Sequence, residues 1–328
     1  MHEREPQISY VSALAQHLHR FVAEKRALGC RYQGEAQSLI ALDRFLTEQG
    51  VTSPDLPKTV VEAWTRRRPH ESVATQQGRL SLTRQLCLSL IRQGFAPYLP
   101  GRHLLTKGSS TFVPYVFTQA QIRDLFAAAD QIRPDARSPR REVMLPLIFR
   151  LLYGCGLRVS EALRLQLRDV DLGRGILTIR EAKFRKDRLV PMAPSLVVRL
   201  RSYAADHLPG RTATAPFFPA PDAGQFHQRV IHDVFRQLLW ACGISYQGRG
   251  KGPRLHDLRH TFAVHRLMRW YREGTDLGAA LPVLSAYLGH VSLQGTQRYL
   301  RLSAELHPDL LAAMHAYHGQ VIPGRLQP

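Results

Sequence analysis

The stretch RLHDLRHTFAVH, residues 254–265, contains three histidines and two arginines, which is a high density of residues able to hold a ligand. His256 and His260 are four residues apart, so a helix would place both rings on one face, as in a zinc site. His256 and Arg259 are three residues apart, so the same helix would set an imidazole beside a guanidinium, as in a phosphate clamp. The spacing leaves metal and phosphate open as alternatives.

The metal alternative is the weaker one. A zinc enzyme of the HExxH type needs a glutamate directly after its first histidine, whereas Asp257 and Leu258 follow His256. A third ligand would also have to be found elsewhere in the chain. We therefore predict no metal and no other cofactor, and we interpret His260 and His265 as packed or exposed residues of the helix.

The phosphate alternative gains from residues elsewhere in the chain. Arg158 follows two glycines at the start of a helical pattern, where a guanidinium and helix N-terminal N–H groups can face one anion. Lys183 lies in a charged turn, and His290 directly follows Gly289, which ends a helical pattern. Tyr299 lies nine residues further on, in an amphipathic segment. Each has an ordinary structural explanation by itself, either as a solvated charge or as a packing residue.

The charge of the chain points to a polyanionic partner. The 328 residues include 45 basic and 26 acidic ones, a net charge of +19, and 39 of the basic residues are arginines. Arginine suits bidentate contact with phosphate, and a sequence pI near 10.5 favours nucleic acid as the partner. The alternative is a basic surface that serves solubility only.

The pattern of apolar residues predicts two domains. Four segments with helical periodicity run from Ile8 to about Gly94, and a stretch rich in proline, glycine and serine follows from about residue 95. We place a helical domain with its linker at 1–108 and a second domain at 109–328. The second domain is helical apart from GILTIREAKFRKDRLVPM, which predicts a β-hairpin. The predicted fold class is mainly α with a small β-sheet, α+β.

The remaining composition predicts a soluble, cytoplasmic protein. The four cysteines form no CxxC pair, which indicates free thiols in a reducing compartment. The N-terminal residues are charged where a signal peptide would be apolar. No apolar run reaches the roughly 18 residues that a membrane span requires, so we expect no membrane partner.

Five motifs occur together in the second domain: GLRVSEAL, AKFRKDRLVP, HDLRHTFA, LGH and TQRYL. In this order they resemble the catalytic half of the tyrosine recombinase, or phage integrase, family, over about residues 117–302. The N-terminal half is similar to the core-binding domain of that family in size and pattern. Each motif alone is weakly specific, but five in order with suitable gaps are strongly specific.

The resemblance implies a site-specific DNA recombinase of the integrase or transposase type, which cleaves and rejoins strands through a 3′-phosphotyrosine intermediate. The implied catalytic residues are Arg158, Lys183, His256, Arg259, His290 and Tyr299. Tyr299 would be the nucleophile, the two arginines would clamp the phosphate, His256 would assist the tyrosine and Lys183 would be the general acid. Lys186 competes with Lys183 for that role. The alternative activities are a type IB topoisomerase-like relaxing enzyme and a non-catalytic DNA-binding accessory protein.

The resemblance also implies partners. They are double-stranded DNA and further subunits, either as a homotetramer or as a mixed tetramer with a sister recombinase. The segment AELHPDLLAAMHAYHG predicts a C-terminal tail helix that docks on a neighbouring subunit, or else packs on its own domain. Five arginines of the helical domain are candidates for contact with the DNA backbone: Arg66, Arg67, Arg68, Arg79 and Arg84.

Overall fold

The chain forms two compact units in the computed structural model, Met1–Thr111 and Phe112–Pro328. The structure describes the following residues: 9–30, 32–101, 113–180, 187–221, 224, 226–246, 248, 252–290, 295, 296 and 299. The expected tail helix after Tyr299 and the greater part of the linker lie outside the described residues. The two units are taken separately below.

The N-terminal unit contains four helices, as its periodicity predicts. They are α1 (Ala15–Ala27), α2 (Gln33–Glu48), α3 (Lys58–Thr65) and α4 (Val73–Arg92). Leucines and aromatic side chains recur every three or four residues, and this apolar face of each helix is buried in a common core. Phe21, Leu39 and Leu86 are fully buried there. Ser72 begins α4 by accepting a hydrogen bond from the backbone N–H of Thr75 at 3.1 Å.

The run of three arginines in this unit lies outside a helix, although the sequence predicts that it lies within one. A short helix containing Arg66, Arg67 and Arg68 is expected, but α3 ends at Thr65 and the run follows it. Pro69 accounts for part of the difference, because Arg68, the residue before it, is disfavoured in the helical conformation. The run therefore lies in an exposed segment outside any helix.

The second unit is built around a helix that is mostly apolar and buried along its middle turns. Its first helices are α5 (Gln119–Asp130), α6 (Arg141–Gly154) and the short α7 (Val159–Leu163). The later helices are α8 (Pro194–His207), α9 (Gln228–Ala241), α10 (Asp257–Arg272) and α11 (Leu277–Leu288). Helix α6 packs against α5, α8 and α10, which explains why it is buried on several faces.

The predicted hairpin forms part of a three-stranded antiparallel sheet. Strands β2 (Ile176–Ile179) and β3 (Arg188–Pro191) pair from Ile176 with Pro191 to Ile179 with Arg188. A two-residue strand, β1 (Val170–Asp171), pairs with the outer side of β2 and was not predicted. Two residues are too few to show an alternating pattern.

The predicted fold class is confirmed, since the described residues form eleven α-helices and one small sheet. Within the described part of the chain, no helix is long and apolar enough to cross a membrane. Four features position the site described next: the start of α7, strand β3, the first turns of α10 and the end of α11.

Candidate active site

Three arginines converge on the C-terminal end of α11. Successive backbone carbonyls there accept their hydrogen bonds: Tyr287 O from Arg188 Nε at 2.8 Å, Leu288 O from Arg259 Nη2 at 2.6 Å, and Gly289 O from Arg158 Nη2 at 3.2 Å. The last carbonyls of a helix have no partner within the helix and carry its partial negative charge. The guanidinium groups therefore donate to a row of carbonyl oxygens that have no other partner in the helix.

Gly289 is required at this point of the chain. Its φ of +66° lies in the left-handed region, where it ends α11. A Cβ atom at this position would lie 2.9 Å from Arg188 Nη1, so a larger residue would displace that guanidinium. The motif LGH thus combines a helix end with close passage of an arginine.

A single buried carboxylate holds the same arginines from the other side. Glu161, which is 4% exposed, accepts hydrogen bonds from Arg158 Nη1 at 2.6 Å and from Arg188 Nη1 and Nη2 at 3.1 and 2.8 Å. Arg259 Nη1 lies 3.9 Å from Glu161 Oε2. We call these four residues the Glu161 group. Burial raises the pKa of Glu161, but the hydrogen bonds and charges of Arg188 and Arg158 outweigh it and lower that pKa to about 2.

The Glu161 group has more positive than negative charge. Three guanidinium groups surround one carboxylate, which leaves an excess of two positive charges. Arg259 is 1% exposed, and its Nη1 donates to Gly156 O at 2.6 Å. Burial and the charge of Arg158 lower the pKa of Arg259 to about 10, so it stays charged at neutral pH. An anion would offset this excess.

Two histidines adjoin this charge. His256 is the residue before α10, and it is exposed. Surrounding protein atoms and the charges of Arg259 and Arg158 lower the pKa of His256 to about 4. Burial and the same arginines lower the pKa of His290 to about 4, and its Nδ1 lies 2.8 Å from Thr296 Oγ1. Both imidazoles are therefore neutral at pH 7 without a bound anion.

Tyr299 is buried beside these histidines. It is 2% exposed, and its ring stacks on His290 with centroids 5.8 Å apart. Its hydroxyl lies 3.0 Å from Nδ1 of His260, the residue after Arg259. Arg259 interacts electrostatically with Tyr299. Five of the six predicted site residues are thus brought together, and the sixth, Lys183, lies outside the described residues, as does Lys186.

Three residues of this site were not recognised from the sequence. Glu161 follows Arg158 by three residues, a spacing typical of the capping box, and its carboxylate does accept the backbone N–H of Arg158 at 2.9 Å. That spacing was a usable signal. Arg188 had none, because its partners lie on α7 and α11. His260 was interpreted as a packed or exposed helix residue, yet its ring contacts the hydroxyl of Tyr299.

The described residues contain no group of three histidine, cysteine, aspartate or glutamate side chains that could hold a metal ion. His256, the residue before α10, and His260 do lie close together, but their rings meet edge to face with centroids 4.7 Å apart. The groups that this site presents to a ligand are a cluster of guanidinium cations, neutral imidazoles and a phenol.

The candidate DNA-contact arginines of the N-terminal unit fall into two kinds. Arg79 is tied to Glu71 by two hydrogen bonds of 2.8 and 2.9 Å, and Arg84 donates to Pro100 O. Both are partly buried. The side chains of the other three are exposed: Arg66, Arg67 and Arg68. Among the five candidates, only these three have exposed side chains.

Comparison with known proteins identifies the family. The model of the phage integrase family matches residues 115–305, more than half of the chain. The chain belongs to this family. The integrase-family protein is 32% identical over 305 residues to y4rB of Sinorhizobium fredii, which is named as a putative integrase/recombinase. The match covers 92% of this chain and 96% of that relative. It is 30% identical over 239 residues to the tyrosine recombinase XerD of Neisseria meningitidis, and this match covers 71% of this chain and 74% of XerD.

Solved structures show the same fold. The Tn1549 transposon integrase in complex with transposon right-end DNA aligns over 90% of this chain and 99% of that chain, with a TM-score of 0.60 and 15% identity. XerH bound to its difH substrate aligns over 74% of this chain and 64% of the XerH chain, with a TM-score of 0.53 and 20% identity. Family and fold together make this integrase-family protein a tyrosine recombinase, an enzyme that breaks and rejoins DNA strands in site-specific recombination.

Proposed function

We propose that Tyr299 attacks a DNA phosphodiester held by Arg158 and Arg259, forming a 3′-phosphotyrosine bond and releasing a 5′-hydroxyl. The observation that supports this most is the positive excess of the Glu161 group beside a buried tyrosine hydroxyl. A phosphodiester carries one negative charge, and more charge develops on its non-bridging oxygens in the pentacovalent transition state. The excess positive charge therefore attracts the bound phosphodiester, and it stabilises the more negative transition state to a greater extent.

The arginines need little rearrangement to act. Backbone carbonyls at the end of α11 and the carboxylate of Glu161 already orient them, so the cost of ordering these long side chains is met on folding. Arg158 is also the more accessible of the pair, with about a quarter of its side chain exposed. We assign it the first contact with the phosphate, and we assign Arg259 the stabilisation of developing charge.

We assign the remaining catalytic roles as follows. His256 and His290 are neutral and can donate one ring N–H each to the phosphate oxygens, and a bound phosphate would raise the pKa of both by offsetting the arginine charge. Lys183, five residues before Arg188 of the site, is our general acid for the leaving 5′-oxygen. The covalent link retains the energy of the phosphodiester, so another strand can be joined without ATP.

We propose that the N-terminal unit, with its linker as residues 1–108, binds double-stranded DNA as a core-binding domain. Arg66, Arg67 and Arg68 are consecutive and exposed, and would contact backbone phosphates. Arg79 and Arg84 would serve indirectly, by holding the unit together. XerH was solved bound to its difH substrate and the Tn1549 integrase bound to transposon right-end DNA, which supports the same partner here.

We further propose that four subunits, either identical or shared with a sister recombinase, act together on two DNA sites in the cytoplasm. Exchange between two duplexes requires four strand cleavages, and each protomer brings one Tyr299. The segment after Tyr299 would link neighbouring subunits. Mass measurements of the protein with and without a DNA site would test this stoichiometry.

A suicide duplex tests the assigned nucleophile. It carries a nick close to the cleavage site, so that a short fragment diffuses away and the covalent product accumulates. The wild type is expected to form an adduct in excess chelator, and Tyr299→Phe is expected to bind the duplex but form none. A persisting adduct in Tyr299→Phe would disprove the assignment, and loss of wild-type activity in chelator would revive a metal mechanism.

A further inference from the structure

His260 stands at the reacting atom of the site. It follows Arg259 on α10, and its Nδ1 lies 3.0 Å from the hydroxyl oxygen of Tyr299. The two ring centroids are 5.4 Å apart and the rings are inclined at 55°. A neutral imidazole has one acceptor nitrogen, and a phenol donates to it through its O–H. The arrangement suits the tautomer that carries its proton on Nε2.

The other two histidines of the site meet Tyr299 differently. His290 lies nearly parallel to the tyrosine ring, with 25° between the planes, and its Nδ1 is engaged with Thr296. The lone pair of an imidazole nitrogen lies in the ring plane, so a stacked ring does not direct it at the stacking partner. His256 packs its ring edge to face against His260. His260 therefore has the geometry of a proton acceptor.

The surrounding charges favour the same assignment. His256 and Arg259 face this region from α10, His290 and Arg188 from the end of α11 and β3, and Arg158 with Glu161 from α7. Desolvation by surrounding protein atoms, together with the nearby arginines, lowers the pKa of His256 and His290 to about 4, which makes both imidazoles weak bases. The same positive excess stabilises a developing phenolate at Tyr299.

We propose that His260 is the general base that accepts the phenolic proton of Tyr299 during strand cleavage and returns it during rejoining. The proposal rests on the function proposed above. In cleavage, the phenolic oxygen forms a bond to phosphorus and its proton moves to His260 Nδ1. The bond from phosphorus to the 5′-oxygen breaks, and that oxygen takes a proton from the general acid assigned to Lys183. Rejoining reverses each transfer.

The test uses two versions of the suicide duplex and the full chain. In one, the leaving 5′-oxygen is the natural one; in the other it is replaced by sulfur, whose thiolate leaves without needing a proton. The rate of adduct formation is measured at saturating protein in a single turnover, between pH 6 and pH 10. Variants are His260→Ala, His260→Asn, Lys183→Ala and Tyr299→Phe. DNA binding and melting temperature are recorded for each.

We expect His260→Ala to slow adduct formation by about 100-fold or more on both duplexes, and to regain rate at high pH, where hydroxide removes the phenolic proton. His260→Asn retains a hydrogen-bond acceptor without a basic nitrogen and should stay slow. Lys183→Ala should be slow with oxygen and fast with sulfur. On the sulfur duplex, the rate of the wild type should still fall as the pH is lowered, because a protonated His260 cannot accept the phenolic proton. This measurement needs no variant.

His265 offers a matched control. It lies on the same helix, and its Nδ1 is 2.9 Å from the hydroxyl of Tyr153, a tyrosine outside the active site. His265→Asn should leave the rate and its pH dependence unchanged. Wild-type rate in His260→Asn, rescue of His260→Ala by sulfur, or a wild-type rate on the sulfur duplex that is flat with pH would each overturn the proposal. An adduct in Tyr299→Phe would instead refute the nucleophile assignment.

Discussion

Two of the carboxylates that arginines bind in this protein differ in the balance between positive and negative charge around them. In the N-terminal unit, the guanidinium of Arg79 meets both oxygens of Glu71 at 2.8 and 2.9 Å, and stands 5.5 Å from the Trp64 ring centre. We call these three residues the Glu71 group. In the second unit, Glu161 is shared by three guanidinium groups. The first arrangement is neutral, and the second keeps a positive excess.

This difference separates an arginine that stabilises a fold from an arginine that binds a phosphate. A guanidinium paired one to one with a buried carboxylate has little attraction left for an anion. Three that share one carboxylate are held in place yet remain attractive to a further negative charge. The ratio of arginines to carboxylates is more informative about function here than the number of arginines.

The largest effect is expected from Arg259→Lys. A lysine keeps the charge but cannot reach both Gly156 O and Leu288 O as the arginine does. Adduct formation on the suicide duplex should fall by about 100-fold or more, the loss typical for removal of one preorganised donor to a transition-state oxyanion. Arg201→Lys is the matched control, since Arg201 also donates to a backbone carbonyl, Leu172 O at 2.7 Å, but outside the site. Equal rates in both variants would contradict the clamp.

Glu161→Gln should act mainly on stability. It leaves three guanidinium groups without their buried counter-charge, and loss of one partner in such a cluster costs about 3 kcal/mol or more in the free energy of unfolding. Denaturant unfolding of the full chain at pH 7 measures this, with Glu273→Gln as the control, since Glu273 is exposed and, among the residues described, pairs with a single arginine, Arg269. A variant as stable as the wild type would show that Glu161 does not balance the arginines.

The pH dependence of stability follows from the same carboxylate. Its folded pKa of about 2 lies below the ordinary value of 4.5, so its contribution is complete above about pH 4.5 and is lost as the pH falls from there towards 2. The contribution is about 3 kcal/mol by this shift. The unfolding free energy of the wild type should therefore fall more steeply than that of Glu161→Gln in this window. Parallel curves would be inconsistent with the shift.

A smaller effect, confined to stability, is expected from Arg79→Met. Breaking the Glu71 group should lower the melting temperature by a few degrees, an ordinary shift for one partly buried pair. Adduct formation at saturating DNA should keep its wild-type rate, because this guanidinium is occupied within the unit. A large loss of rate with unchanged melting would place Arg79 in DNA contact after all.

The smallest effect is expected from Arg67→Ala. Its side chain is exposed, and its one hydrogen bond within the described part of the chain runs from Nε to Glu71 O at 3.1 Å, which leaves the outer nitrogens available to a phosphate. DNA affinity should weaken similarly for all sequences, and the slope of log affinity against log salt should decrease by about one. An unchanged slope would count against this arginine as a phosphate contact.

The sequence by itself determined the family, the fold class and the types of residue gathered in the site. Helical periodicity marks α1, α2 and α6, and the short β runs mark β2 and β3, because local spacing decides which face of an element is apolar. The ordered motifs around Arg158, Arg259 and Tyr299 were equally legible, since the chemistry of phosphate transfer requires those side chains.

Only the tertiary structure decided how these residues are paired. Arg158 reaches a carbonyl 131 positions away, Arg259 one 103 positions away, and His260 a hydroxyl 39 positions away. Charge balance and hydrogen-bond partners depend on such distances in space, and no local pattern encodes them. The same limit applies to Arg79 and Arg67, which look alike in the sequence and differ because only one of them is fully paired with Glu71.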